Sequence, residues 1–269
     1  MLSARPVMSR EGVELAEVAC RHAVGRGEPG EPTPGFAVVF VRRGCFVRSV
    51  DGVESLLDPT LAYCMNPGEE QRYDHPHGDG DDCTTLFLPP SVVASVCGGE
   101  ALLPAGPVPV SPEVDLEHRV LIATARQGHD SDDVLERAIA IIARVLEQVD
   151  GRRVDSGRPA AARARRALAN GVREALTENP DRSLTELAGA LSVSPHHLSR
   201  VFRSASGHTI SRHRMRLRAR TALERLGGGE RNLARLAADT GFADQSHLCR
   251  VLIQETGRTP AALRRALAP

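Results

Sequence analysis

The chain has no lysine and no tryptophan, and only 3% of its 269 residues are aromatic. Its cores must therefore be filled mainly by Leu, Val, Ile and Ala. No stretch approaches the roughly 20 uninterrupted apolar residues that span a bilayer. The longest apolar run, Ala138 to Leu146, is interrupted by Arg144, so no membrane partner is expected. The opening MLSARPVMSR lacks an apolar segment of the secretory kind, which predicts a soluble cytoplasmic protein. Six cysteines (Cys20, Cys45, Cys64, Cys83, Cys97, Cys249) form no C-x-x-C pair and are expected to be free thiols in a reducing cytosol. Neither a G-x-S-x-G elbow nor a P-loop is present, no catalytic residue is assigned, and an enzyme is not expected.

Charge is present in quantity but divided. The 34 arginines balance 34 acids. Residues 1–150 carry 12 Arg against 24 acids, a net −12, and residues 151–269 carry 22 Arg against 10 acids, a net +12. An acidic half joined to a basic one implies a polyanion as partner of the second. It also lets the acidic half compete with that polyanion for the arginines.

The two halves differ in periodicity. Between Phe36 and Pro90 the pattern predicts strands at Phe36–Arg42, Cys45–Val50, Leu61–Met65 and Cys83–Leu88, punctuated by DG, DP, NPG and HGDGDD turns. Residues 91–112, rich in Pro and Gly, are expected to finish the sheet. Short strands at this spacing predict an antiparallel barrel or jelly roll. Helical spacing follows at Val114–Thr124 and Asp133–Val149. In the second of these Leu135, Ile139, Ile142 and Leu146 form a stripe that packs either in the core or in a dimer seam. The expected division is a first domain over 1–150, a linker over 151–164 and a helical domain over 165–269.

The basic half contains a duplication. Leu184, Leu187 and Ala188 match Leu233, Leu236 and Ala237; past the turn, Leu198, Arg200, Gly207 and Thr209 match Leu248, Arg250, Gly257 and Thr259. Each copy reads as a helix-turn-helix. Ser183 with Glu186 forms an S-x-x-E capping box, and Ser194-Pro195 starts the second helix. With Leu198, Val201 and Phe202 turned inward, that helix presents His196, Ser199, Arg200 and Arg203; the second copy presents Gln245, Ser246, Cys249 and Arg250. Arg bonds guanine, and Gln adenine, through two prongs in the major groove. Between the copies, Ile210 to Leu226 forms one basic helix about 25 Å long.

The run S-P-H-H-L-S-R-V-F-R-x-x-x-G-x-T, the basic helix, G-F-x-D-Q-S-H-L-x-R and G-x-T-P together resemble the AraC/XylS family of transcription regulators over about residues 165–266. The resemblance implies double-stranded DNA as partner, bound in two adjacent major grooves. Contacts would fall on His196, Ser199, Arg200, Gln245, Ser246 and Arg250, with Arg203 beside them. Leu252 and Ile253 stand where the family commonly has an aromatic and then a basic residue. The acidic half is similar to the cupin-like effector and dimerisation domains of that family. This implies an α+β chain of two domains, a homodimer, a small-molecule effector and RNA polymerase as a further partner, with activation the commoner outcome.

For the signal, RYDHPHGDGDDC offers His75 and His77, which point the same way in an extended strand, and Cys83 as candidate metal ligands. Cys45, Cys64 and Cys83 form a softer alternative set. The candidate cofactors are thus a metal ion or a small organic effector. The alternatives to a ligand-responsive regulator are a metal- or thiol-redox-responsive one, or a metal-dependent cupin enzyme fused to a DNA-binding domain.

Overall fold

The structure, a computed structural model, describes residues 2–21, 25–26, 32–76, 80–128, 132–150 and 159–268. Ten strands come first: β1 (Leu2–Arg10), β2 (Val13–Cys20), β3 (Gly25–Arg26), β4 (Phe36–Arg43), β5 (Phe46–Val50), β6 (Val53–Leu57), β7 (Leu61–Met65), β8 (Gln71–His75), β9 (Asp81–Leu88) and, after helix α1 (Pro90–Val96), β10 (Pro107–Pro109). They pair into a six-stranded sheet, β1-β2-β9-β4-β7-β10, and a four-stranded sheet, β3-β8-β5-β6, with every pairing antiparallel. These are the two walls of the expected barrel, although among the described residues the ladders do not close it.

Strand β4 explains the layering. Its sequence FAVVFV is buried on both faces and so reads as a continuous apolar run, without alternation. Val38 and Phe40 join Leu86, Leu88 and the helices α2 (Pro112–Arg126) and α3 (Asp132–Asp150) in one core. Val39 and Val41 face the other sheet with Phe46, Leu57, Tyr63 and Cys83.

Several elements escape the sequence pattern. The hairpin β1–β2 turns on Glu11-Gly12, and β5–β6 on Asp51-Gly52, each a two-residue turn with both φ angles positive. Only the second has the D-G pair that announces such a turn. Strand β8 lies outside the four strands expected, and it forms because pairing with β5 outweighs the polar composition of Gln71–His75. Of the stretch expected to finish the sheet, residues 107–109 do so against β7, while Pro90 starts a helix. Leu135 and Ile142 are buried in the chain's own core, which removes them from a dimer seam; Ile139 and Leu146 pack at its edge, half-buried.

The helical half comprises α4 (Pro159–Glu178), α5 (Leu184–Ala190), α6 (Pro195–Ser206), α7 (Ile210–Gly227), α8 (Leu233–Asp239), α9 (Gln245–Thr256) and α10 (Pro260–Leu267). Helix α4 thus begins inside the expected linker. Two cores share α7. Ile210 and Leu217 pack with Val172, Leu176, Leu187, Leu198 and Phe202, whereas Ala222, Leu223 and Leu226 pack with Leu236, Phe242, Leu248 and Leu252. Leu116 and Val120 of α2 belong to the second core, so the acidic half completes the second helix-turn-helix unit.

Candidate nucleic-acid interface

The geometry begins at the caps. Ser183 and Glu186 make the reciprocal capping box of α5, and Ser194 accepts from the His197 amide at 3.2 Å to start α6. Asn232 and Asp244 do the same for α8 and α9 through the amides of Arg235 and His247, at 2.9 and 2.7 Å. The repeated G-x-T has a physical reason in each copy. Gly207 and Gly257 end the recognition helices with φ of 77° and 68°, and Thr209 and Thr259 cap the helices that follow.

Leu198, Val201 and Phe202 anchor α6 inward, and Leu248, Val251 and Leu252 anchor α9. The outward faces match the sequence expectation. His196, Arg200 and Arg203 are exposed with Ser199 at the margin, and Gln245, Ser246 and Arg250 are exposed beside the half-buried Cys249. An open groove of about 540 Å³ runs before α6, lined by Leu184, His196, Ser199, Arg200, Arg203 and Arg214 among others. Each unit thus offers a helix whose outward face, over the first two turns, is polar and rich in groups that bond base edges.

The arginines of α7 behave otherwise. Arg214 donates to the Arg182 carbonyl, Arg218 to the Gly241 carbonyl and the Asp181 carboxylate, and Arg212 and Arg216 lie against the buried Glu255 of α9. Arg220 is buried and donates to the Val110 carbonyl at 2.6 Å. None of these five is a bare phosphate ligand.

Helix α7 also meets the acidic half through a buried polar cluster that the motif reading missed. Asp58, at the β6–β7 turn, is wholly buried. Arg173 of α4 donates to its Oδ2 at 2.7 Å and to Thr60 Oγ1 at 2.9 Å, and the Thr60 amide donates to its Oδ1 at 2.7 Å. His213 Nε2 of α7 lies 3.5 Å from the same Oδ2. Burial alone would raise the Asp58 carboxyl, but Arg173 and His213 hold it well below the usual range. A second bridge joins α2 to α7: Glu224 accepts from Arg119 and, at 3.4 Å, from Arg42. The signal lay in α7 itself. Ile210, His213, Leu217 and Arg220 share one face at spacings of three and four, so two polar residues sit in an apolar stripe.

Of the signal candidates, His75 is buried at the end of β8 with Nε2 2.6 Å from Asp81 Oδ1, and Cys83 Sγ donates to Asp81 Oδ2 at 3.2 Å. His77 lies outside the described residues. The softer cysteine set does not assemble: Cys64 is in the helix-side core and Cys83 between the sheets, so one ion cannot take both. Burial raises the thiols of Cys45, Cys64 (to about 12) and Cys83, which keeps them protonated and unreactive. Arg48, buried between the sheets, donates to Gln71 Oε1 and Glu69 Oε2 and stacks on Tyr63.

Two units of capped helix, turn and exposed recognition helix, joined by one shared helix, define a tandem helix-turn-helix DNA-binding protein. Residues 187–266 match the family model described as a helix-turn-helix domain. The chain thus carries a helix-turn-helix domain of the AraC type over residues 187–266. Among solved structures it is similar to ToxT from Vibrio cholerae O395, at 10% identity and a TM-score of 0.40 over 96% of this chain and 99% of that one. The unsaturated fatty acid-bound ToxT of strain SCE256 gives 10% and 0.39 over 95% of each chain. An RmlC-like cupin from Shewanella frigidimarina gives 18% and 0.29 over 33% of this chain and 76% of that one. No curated protein matches the sequence. No described helix is long and apolar enough to cross a membrane.

Proposed function

We propose that the chain is a cytoplasmic transcription activator, without enzymatic activity, that binds two successive major grooves through α6 and α9. Its activity is set by a small organic molecule sensed in residues 1–150, and it works as a homodimer that recruits RNA polymerase. The observation that carries the DNA reading is the pair of exposed faces, His196, Ser199, Arg200 and Arg203 on one helix and Gln245, Ser246 and Arg250 on the other, each fixed by its own cap. Regulation is supported by the Asp58 cluster. It ties a turn of the sensing half to α7, the helix that sets one recognition unit relative to the other. A ligand that moves the β6–β7 turn acts on that spacing by population shift.

The charge competition suggested by composition takes a different form here. Arg173 and Arg220 bond the acidic half, whereas Arg200, Arg203 and Arg250 stay exposed. For these five, DNA and the acidic half draw on separate arginines. The half-buried Ile139 and Leu146 remain the candidate seam of the homodimer.

The test is equilibrium binding by the full chain to duplexes selected from a randomised pool. Selected duplexes should bind about 10³-fold tighter than a scrambled duplex, the foot of the usual specific-to-nonspecific range. Equal binding to both would overturn sequence-specific recognition.

A further inference from the structure

We infer that Cys20, His75 and Asp81 form a site for a divalent transition metal, zinc by preference, that clasps the two sheets together. Cys20 and Asp81 face each other as a register pair of β2 and β9, which places their side chains on one face of the six-stranded sheet. His75 ends β8 of the opposite sheet, and its Nε2 reaches Asp81 Oδ1 at 2.6 Å. One Sγ, one imidazole nitrogen and one carboxylate oxygen thus lie within 4.8 Å of one another, and all three residues are buried. Sulfur, nitrogen and oxygen donors together suit a borderline ion such as zinc, and three protein ligands leave a fourth position for water or an exogenous group.

The surroundings are built for this approach. Gly80, at φ +67°, sits where a Cβ would collide with the Cys20 carbonyl oxygen, so only glycine lets the strand ends close on each other. Successive acids point opposite ways. Asp82 faces outward to Arg21 and Arg43, at 2.6 Å each, while Asp81 turns inward. Cys83 donates to the second Asp81 oxygen at 3.2 Å and so orients the carboxylate from behind. On binding, the metal takes the neutral imidazole nitrogen of His75 and the Asp81 carboxylate as ligands, and the Cys20 thiol releases its proton to solvent.

The site differs from the expected set: His75 is a ligand, Cys83 a positioning residue, and Cys20 the ligand that sequence spacing hides. It stands apart from the DNA-binding reading, and its test uses no DNA. Reduced, metal-free full chain is titrated with Co²⁺ and followed by absorption. One equivalent should bind with a thiolate-to-cobalt charge-transfer band and the d–d bands of four-coordinate cobalt, and Zn²⁺ should displace it. Cys20→Ser should abolish the charge-transfer band, and His75→Asn or Asp81→Asn should weaken binding at least tenfold. Cys83→Ala should weaken it about 10- to 100-fold with the band retained, and Cys249→Ser should change nothing. Circular dichroism confirms folding of each variant. If Cys20→Ser fails to fold, His75→Asn decides. Absence of stoichiometric uptake by the folded chain, or a thiolate band that survives Cys20→Ser with unchanged affinity, would overturn the site.

Discussion

Two populations of arginine in the basic half cannot be distinguished by composition. Arg200, Arg203 and Arg250 stand exposed on the recognition helices, while Arg173 and Arg220 are buried against the acidic half, on Asp58 and the Val110 carbonyl. A net charge of +12 thus serves two purposes. Part of it is exposed on α6 and α9, where any bond to a polyanion depends on salt. The rest is spent inside the chain, where one missing partner leaves a buried charge uncompensated.

Asp58→Ala is the sharpest way to break this comparison. Removing the carboxylate strands the Arg173 guanidinium beneath the domain contact, and urea unfolding of the full chain should lose about 3–5 kcal/mol. Arg200→Ala in the same assay should stay within about 0.5 kcal/mol of the parent. Equal losses would mean that the two populations do not differ.

In binding the order reverses. Arg200→Ala or Arg250→Ala should cost about 1–3 kcal/mol on selected DNA and relax preference at one base pair, read by repeating the duplex selection. A uniform loss on all sequences would make these residues phosphate contacts.

Acid sharpens the view of the buried face. Burial lowers His118 to about 3, His208 to about 4, and His213 below its usual value despite Asp58. Between these values and about 6.5 the unfolded chain binds protons that the folded chain refuses, so stability falls as pH drops through that window and is flat above it. Each fully buried histidine contributes about 1.4 kcal/mol per pH unit there. His118 stacks on Phe40 at 4.2 Å and neither ring nitrogen has a hydrogen-bond partner, so His118→Phe should keep the fold and flatten the acid limb in thermal melts at pH 7, 6 and 5. An unchanged limb would exclude His118 as its source. The smallest effect is expected at an exposed cap. Ser183→Ala should cost about 1 kcal/mol in the same melts, and no loss would mean that the α5 cap is dispensable.

The same contrast explains what could be read from sequence. The recognition face was legible because it is local: Ser183, Ser194, Pro195, Gly207 and Thr209 set helix boundaries within a few residues of themselves, and the duplication repeats them. Asp58 read as no more than a turn residue, since Arg173 and His213 lie 115 and 155 positions away. Cys20 was likewise hidden, because Asp81, which the β2–β9 register sets opposite it, lies 61 positions away. His213 and Arg220 were within reach, as polar residues on the apolar stripe of α7.

The measurement that bears most directly on the account is guanine-methylation interference with the full chain on a selected duplex. Two clusters of interfering major-groove guanines should appear about one helical turn apart. Arg200→Ala should erase interference in one cluster and Arg250→Ala in the other. A single cluster, or two that both survive each substitution, would contradict reading by α6 and α9.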